Sequence, residues 1–147
     1  EEAKMSDEQN KKIEQLKEWL KRAEKADKSV KLWRSRLEHD RELARGKKGM
    51  SGSGTYSSSA NGTEDALIKL AETERILQEK KAEFKRIYDE IDSAVKKIED
   101  DDLQMLLYWH YLKFLTWEET AHKMNYGIST IKYKHKKALE KLCTQLS

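Results

Sequence analysis

The sequence predicts an all-α protein, with a long helical coiled-coil arm or hairpin followed by a C-terminal three-helix domain. Three observations lead there. The 147 residues include no proline, the one residue that both fixes φ and removes the amide donor a helix interior needs. Charged residues make up 39% of the chain and the apolar set 37%, which favours long helices with narrow apolar seams over a thick core. Apolar residues also recur at intervals of three and four over two long stretches, which is the helical period.

The first arm helix is expected over residues 6–45. Ile13, Leu16, Leu20, Ala23, Ala26, Val30, Trp33 and Leu37 form its seam. Ser6 and Gln9 stand at capping-box spacing at its start. The stride breaks once, near Ala23 and Ala26, so the seam is not a strict heptad. Residues 46–62 read GKKGMSGSGTYSSSANG. So little there can bury surface against the entropy of ordering that a flexible linker is expected.

A second arm helix is expected over 63–100, capped by Thr63, with Glu64 and Asp65 suited to the positive end of the helix dipole. A heptad fits in one register: Leu67, Leu70, Glu74, Leu77, Lys81, Phe84, Tyr88, Ile91, Val95 and Ile98. Two helices with seams this narrow are not stable singly in water. They are expected to fold back as an antiparallel hairpin or to pair between chains, making the protein a homo-oligomer through its arm. Residues 6–48 carry 14 cationic side chains against 9 anionic, and residues 63–102 carry 8 against 13. The opposite net charges favour the two segments lying side by side.

Residues 101–147 form the terminal domain. The acidic run Glu99 to Asp102 precedes it, with Asp101 or Asp102 expected to cap its first helix. That helix is expected over Leu103 to Lys113, with Leu106, Trp109 and either Leu112 or Tyr111 pointing inward. Thr116-Trp117-Glu118-Glu119 is a capping box and opens a short second helix ending near Met124. Asn125-Tyr126-Gly127 reads as a turn, and a long basic helix starts at Ile128.

The spacing inside this segment is that of a helix-turn-helix. Ala121 supplies the small residue where two helices cross. Asn125 supplies the turn residue that tolerates left-handed backbone. Ile131 supplies the apolar anchor of the third helix, and Ala138, Leu139 and Leu142 continue its inward face. Residues 103–147 carry seven cationic side chains against three anionic, four of the seven being Lys132, Lys134, Lys136 and Lys137. A charge run alone is more often a solvated helix face. Joined to the Ala-Asn-Ile spacing and the capping box, it points to double-stranded DNA, with lysines for phosphates and hydroxyls for base edges. The candidate contacts are Ile128, Ser129, Thr130, Lys132, Tyr133, Lys136 and Lys137.

The string TWEETAHKM followed by ALEKL resembles the promoter-reading C-terminal helix-turn-helix of bacterial sigma factors, where T-L-E-E-I-A and A-L-x-K-L frame the motif at equal length. The chain as a whole resembles phage late-gene regulators of the RinA and ArpU type, in its helical arm, polar linker, second helix and sigma-like end. The sigma resemblance implies base contacts from the exposed start of the third helix, at Ile128, Ser129, Lys132 and Tyr133. Ile128 and Ser129 replace charged readers there, which implies a different sequence preference from a housekeeping promoter element. Thr120 stands where the pattern has Ile or Val, Lys134 where it has Ile or Leu, and Phe114 where glycine is common. The function implied is activation of a phage late or packaging operon by direct binding to its promoter or operator, with host RNA polymerase as a further partner. Two alternatives stand beside it. One is a small terminase subunit serving DNA packaging. The other is a coiled-coil interaction protein that contacts RNA polymerase without touching DNA.

Other classes find little support. There is no P-loop, no glycine-rich phosphate cradle and no Ser-His-Asp ordering, so no enzyme is expected. The single cysteine, Cys143, excludes an intramolecular disulfide framework and a multi-cysteine zinc site. His39, His110, His122 and His135 are far apart in sequence and lack a carboxylate or cysteine at metal spacing, so no metal or cofactor is expected. His135 is expected either to contact a phosphate or to be a partly buried polar residue. Trp109 and Trp117 are assigned to the terminal core, Trp19 and Trp33 to the arm. No apolar run approaches the roughly 18 residues of a membrane span and no signal-peptide pattern opens the chain, so a cytoplasmic protein is expected, in a bacterial host cell as the phage resemblance implies.

Overall fold

A computed structural model describes residues 2–49 and 56–146, with side chains over 7–46 and 62–146. The chain forms α1 (Glu2–Gly49), α2 (Tyr56–Lys96), α3 (Asp101–Leu107), a π-helical turn (Tyr108–Leu112), α4 (Trp117–Met124) and α5 (Ile128–Leu146). No strand occurs among the described residues, and the fold is all-α as expected. No helix among them is long and apolar enough to cross a membrane.

Both long helices run into the glycine- and serine-rich stretch, α1 as far as Gly49 and α2 from Tyr56. The linker expected over 46–62 is therefore shorter, and Thr63 lies inside α2 rather than at its cap. Once a helix is nucleated, each added residue brings one further hydrogen bond, so even weak helix formers can extend it. Of the expected linker, residues 50–55 lie outside the described residues.

Two compact units divide the chain, one of Glu1–Lys25 with Arg86–Ser147 and one of Ala26–Lys85. Compactness thus does not change at residue 100. The outer ends of both arm helices belong with the terminal helices.

In the unit of residues 26–85, α1 and α2 run antiparallel. Asp40 meets Thr73, while Arg45 lines a groove with Thr63 and Leu67. Val30, Leu37 and Leu77 are buried together, with Trp33, Leu70 and Phe84 packed against them. The Thr73 hydroxyl donates to the Asp40 carboxylate at 2.6 Å, and both residues are buried.

This pair accounts for a register correction. The inward residues of α2 here are Leu70, Thr73, Leu77 and Phe84. The expected seam is therefore a residue out at this point: Thr73 replaces Glu74, while Lys81 is exposed and Leu67 is 53% exposed. Glu74 and Lys81 keep their charges in water, whereas Thr73 is buried with its hydrogen bond satisfied.

In the other unit, Leu16, Leu20 and Ala23 of α1 are buried with Ile87, Ile91, Ala94, Val95 and Ile98 of the α2 end. Ile87 is buried where Tyr88 was expected, whereas Ile91, Val95 and Ile98 are buried as expected. Asp100, not Asp101 or Asp102, caps α3, its side chain accepting from the Leu103 amide at 3.2 Å. Asp101 and Asp102 lie in the first turn, where the helix dipole favours them.

The single helix expected over 103–113 changes pitch at Tyr108. The Lys113 amide bonds back five residues to the Tyr108 carbonyl at 3.0 Å. The wider turn brings Tyr111 and Leu112 inward together, with Leu106 and Leu107, and leaves Trp109 half-buried.

Candidate nucleic-acid interface

Local chemistry sets α4 at both ends. The Glu119 amide donates to Thr116 Oγ1 at 3.1 Å, and the Thr116 amide donates to Glu119 Oε1 at 2.9 Å, closing the capping box. The Thr116 amide, then its hydroxyl, hold the Glu119 carboxyl below its ordinary range. At the other end Asn125 takes the left-handed conformation with φ 62°. The Tyr126 amide donates to the Ala121 carbonyl at 3.0 Å and the Asn125 amide to that of His122 at 3.2 Å. This is the Schellman arrangement, which satisfies the carbonyls a helix end leaves free.

Ala121 is buried at the crossing, and Ile131 is wholly buried as the anchor of α5. Ala138, Leu139 and Leu142 continue the buried face. The three positions singled out by spacing therefore occupy the small, left-handed and anchoring sites expected of them.

All seven candidate contacts, Ile128, Ser129, Thr130, Lys132, Tyr133, Lys136 and Lys137, are exposed. Ile128, Lys132 and Lys136 form one row at helical spacing of four, and Ser129, Tyr133 and Lys137 form the next. Among the described residues Lys132 and Lys136 make no ion pair. Lys137 lies 4.0 Å from Glu140 and 5.6 Å above the Tyr133 ring.

Lys134 points elsewhere. Its Nζ is 3.3 Å from Asp102 Oδ2 and 4.9 Å from the centre of the Tyr126 ring, and the Tyr126 hydroxyl donates to the same carboxylate. The hydrogen bonds from Tyr126 and then Lys134 lower the Asp102 pKa, while the one to Asp102 raises that of Lys134. Sequence alone did not assign this role to Asp102 or Tyr126. A lysine in a position patterned for Ile or Leu was the available signal.

Behind α5 lies an aromatic cluster that the sequence also concealed. His110 stacks on Trp117 with centroids 3.6 Å apart, and the His135 ring is 4.4 Å from Trp117. His110 Nδ1 donates to the Leu115 carbonyl at 2.8 Å. Tyr111 Oη is 2.7 Å from His135 Nε2. Burial lowers both histidines, His135 to about 3, with His110, Lys17 and Lys21 adding to the effect on His135. Burial raises Tyr111, so its hydroxyl keeps its proton and shares a hydrogen bond with neutral His135. Of the two roles expected for His135, the partly buried polar one is realised.

Comparison with protein-family models, curated proteins and solved structures finds no match to this chain. Chemically, the outer face of α5 offers two ammonium groups without anionic partners among the described residues, flanked by hydroxyls and by exposed Ile128 and Tyr133. That set complements a polyanion that also carries donors, acceptors and methyl groups.

Proposed function

We propose that the protein is a sequence-specific regulator that binds double-stranded DNA by laying α5 in the major groove. The exposed Lys132 and Lys136, beside Ser129 and Tyr133 on a helix anchored through Ala121, Asn125 and Ile131, carry this reading. Lysines of this kind contact phosphates and set affinity, while groups reaching base edges set preference. The resemblance to phage late-gene regulators gives the reading its finer form: an activator at a late or packaging promoter, working with host RNA polymerase and oligomeric through its arm.

A second reading is an interaction protein that engages RNA polymerase without DNA. Selection of bound duplexes from a random pool, with the mass of the complex measured in the same buffer, separates these. Enrichment of a common sequence by a small oligomer supports the activator. A large closed ring on a packaging site indicates a small terminase subunit, and no enrichment indicates the interaction protein.

A further inference from the structure

We infer that Ile128 reads the 5-methyl group of thymine, so that the preferred DNA site depends on thymine at the position facing the start of α5. The inference rests on the DNA-binding reading above and adds to it the chemistry by which bases are told apart.

Ile128 is the first residue of α5 and is 39% exposed, although the buried anchor Ile131 lies only three residues on. It leads the row continued by Lys132 and Lys136, one and two turns along. With those ammonium groups on the phosphates and α5 in the groove, the row carries Ile128 to the base edges ahead of them.

What the neighbouring positions lack sharpens the assignment. The exposed residues at the start of α5 are Ile128, Ser129, Thr130, Lys132 and Tyr133. None is Asn or Gln, the side chains that pair in bidentate fashion with adenine, or Arg, which shares with Lys the pairing to guanine. Ser and Thr hydroxyls bond to several bases, and a lysine meets phosphate or guanine as a point charge. The one base-specific group in the major groove that an aliphatic side chain recognises is the thymine methyl. Tyr133, 63% exposed one row away, gives that methyl a second apolar neighbour.

Uracil tests this without altering the protein, since it keeps every hydrogen-bonding group of thymine and lacks only the methyl. Duplexes recovered from a random pool with the full chain are remade with deoxyuridine at each thymine in turn. Exchange at the contacted position is expected to weaken binding about three- to four-fold, the scale of burying one methyl group. Ile128→Ala is expected to discriminate between the thymine and uracil duplexes less than the parent chain does, Tyr133 retaining part of the preference, while keeping its dependence on salt. Binding that is sequence-selective yet indifferent to every uracil exchange overturns the inference and leaves the DNA reading standing. Undiminished discrimination by Ile128→Ala overturns the assignment to that side chain. Failure to retain any duplex overturns the DNA reading, and the inference with it.

Discussion

Lys134 and Asp102 form an ion pair, Nζ to Oδ2 3.3 Å, that links α5 to the start of α3. Tyr126, in the turn between α4 and α5, donates to the same carboxylate. Asp102→Asn keeps an acceptor for Tyr126 but loses the charge, and is expected to lower the melting temperature slightly, by less at high salt because the pair is partly exposed. Because the Asp102 pKa is lowered, the stabilisation is complete above the ordinary carboxylate range and is lost as pH falls through the lowered value. DNA affinity should not fall, since the substitution releases a cation. Thermal melts at two salt concentrations, paired with binding measurements, check both statements.

Thr120 is completely buried and its Oγ1 has no hydrogen-bond partner among the described residues. A buried hydroxyl without a partner loses its water and gains nothing in return. Thr120→Val keeps the shape and removes the polar atom, so it is expected to raise stability by about 1 kcal/mol in chemical denaturation. A lower midpoint for the variant would be inconsistent with an unsatisfied hydroxyl.

Phe114 occupies left-handed backbone with φ 61°. A Cβ crowds the following carbonyl at positive φ, at a cost of roughly 1–2 kcal/mol. Phe114→Gly relieves that cost while giving up a half-buried ring, so little net change is expected. Phe114→Val is expected to be less stable than Phe114→Gly by at least about 1 kcal/mol, because branching at Cβ worsens the clash. Denaturation of the two variants side by side gives the comparison.

These features divide by how far their causes lie along the chain. Thr116 with Glu119, Asn125 at the helix end and the Ala121–Ile131 spacing were legible because each acts over a few residues. The seam of α2 was not. Thr73 turns inward because Asp40, 33 residues away, accepts its hydrogen bond, and hydrophobicity ranks Glu74 and Thr73 without knowledge of that partner. Among consecutive aspartates, composition does not mark Asp100 as the cap. Nor does a helical period reveal that α1 up to Lys25 is compact with the terminal helices. The outward face of α5 was legible because its inward face repeats so regularly.

His135 gives the protein a characteristic pH dependence. Its folded value is about 3 against an ordinary 6.5, chiefly because it is buried. The unfolded chain therefore binds the proton more readily over that whole interval, and stability falls as pH drops from about 6.5 towards 3. His110, also lowered by burial, acts in the same direction. Most carboxylates titrate below pH 5, so the decline between 6.5 and 5 isolates the histidines. His135→Gln retains a hydrogen-bonding partner for the Tyr111 hydroxyl and is expected to flatten that part of the stability curve. An unchanged slope would show that His135 is not shielded from water.

The most direct test of the DNA-binding face is the salt dependence of affinity for the chain and for a variant with both Lys132→Ala and Lys136→Ala. With α5 in the groove, the variant binds every duplex more weakly, and the slope of log affinity against log salt becomes shallower by about two, one for each phosphate that no longer meets an ammonium group. Equal affinity and equal slope for the two proteins would contradict the placement of α5 on DNA.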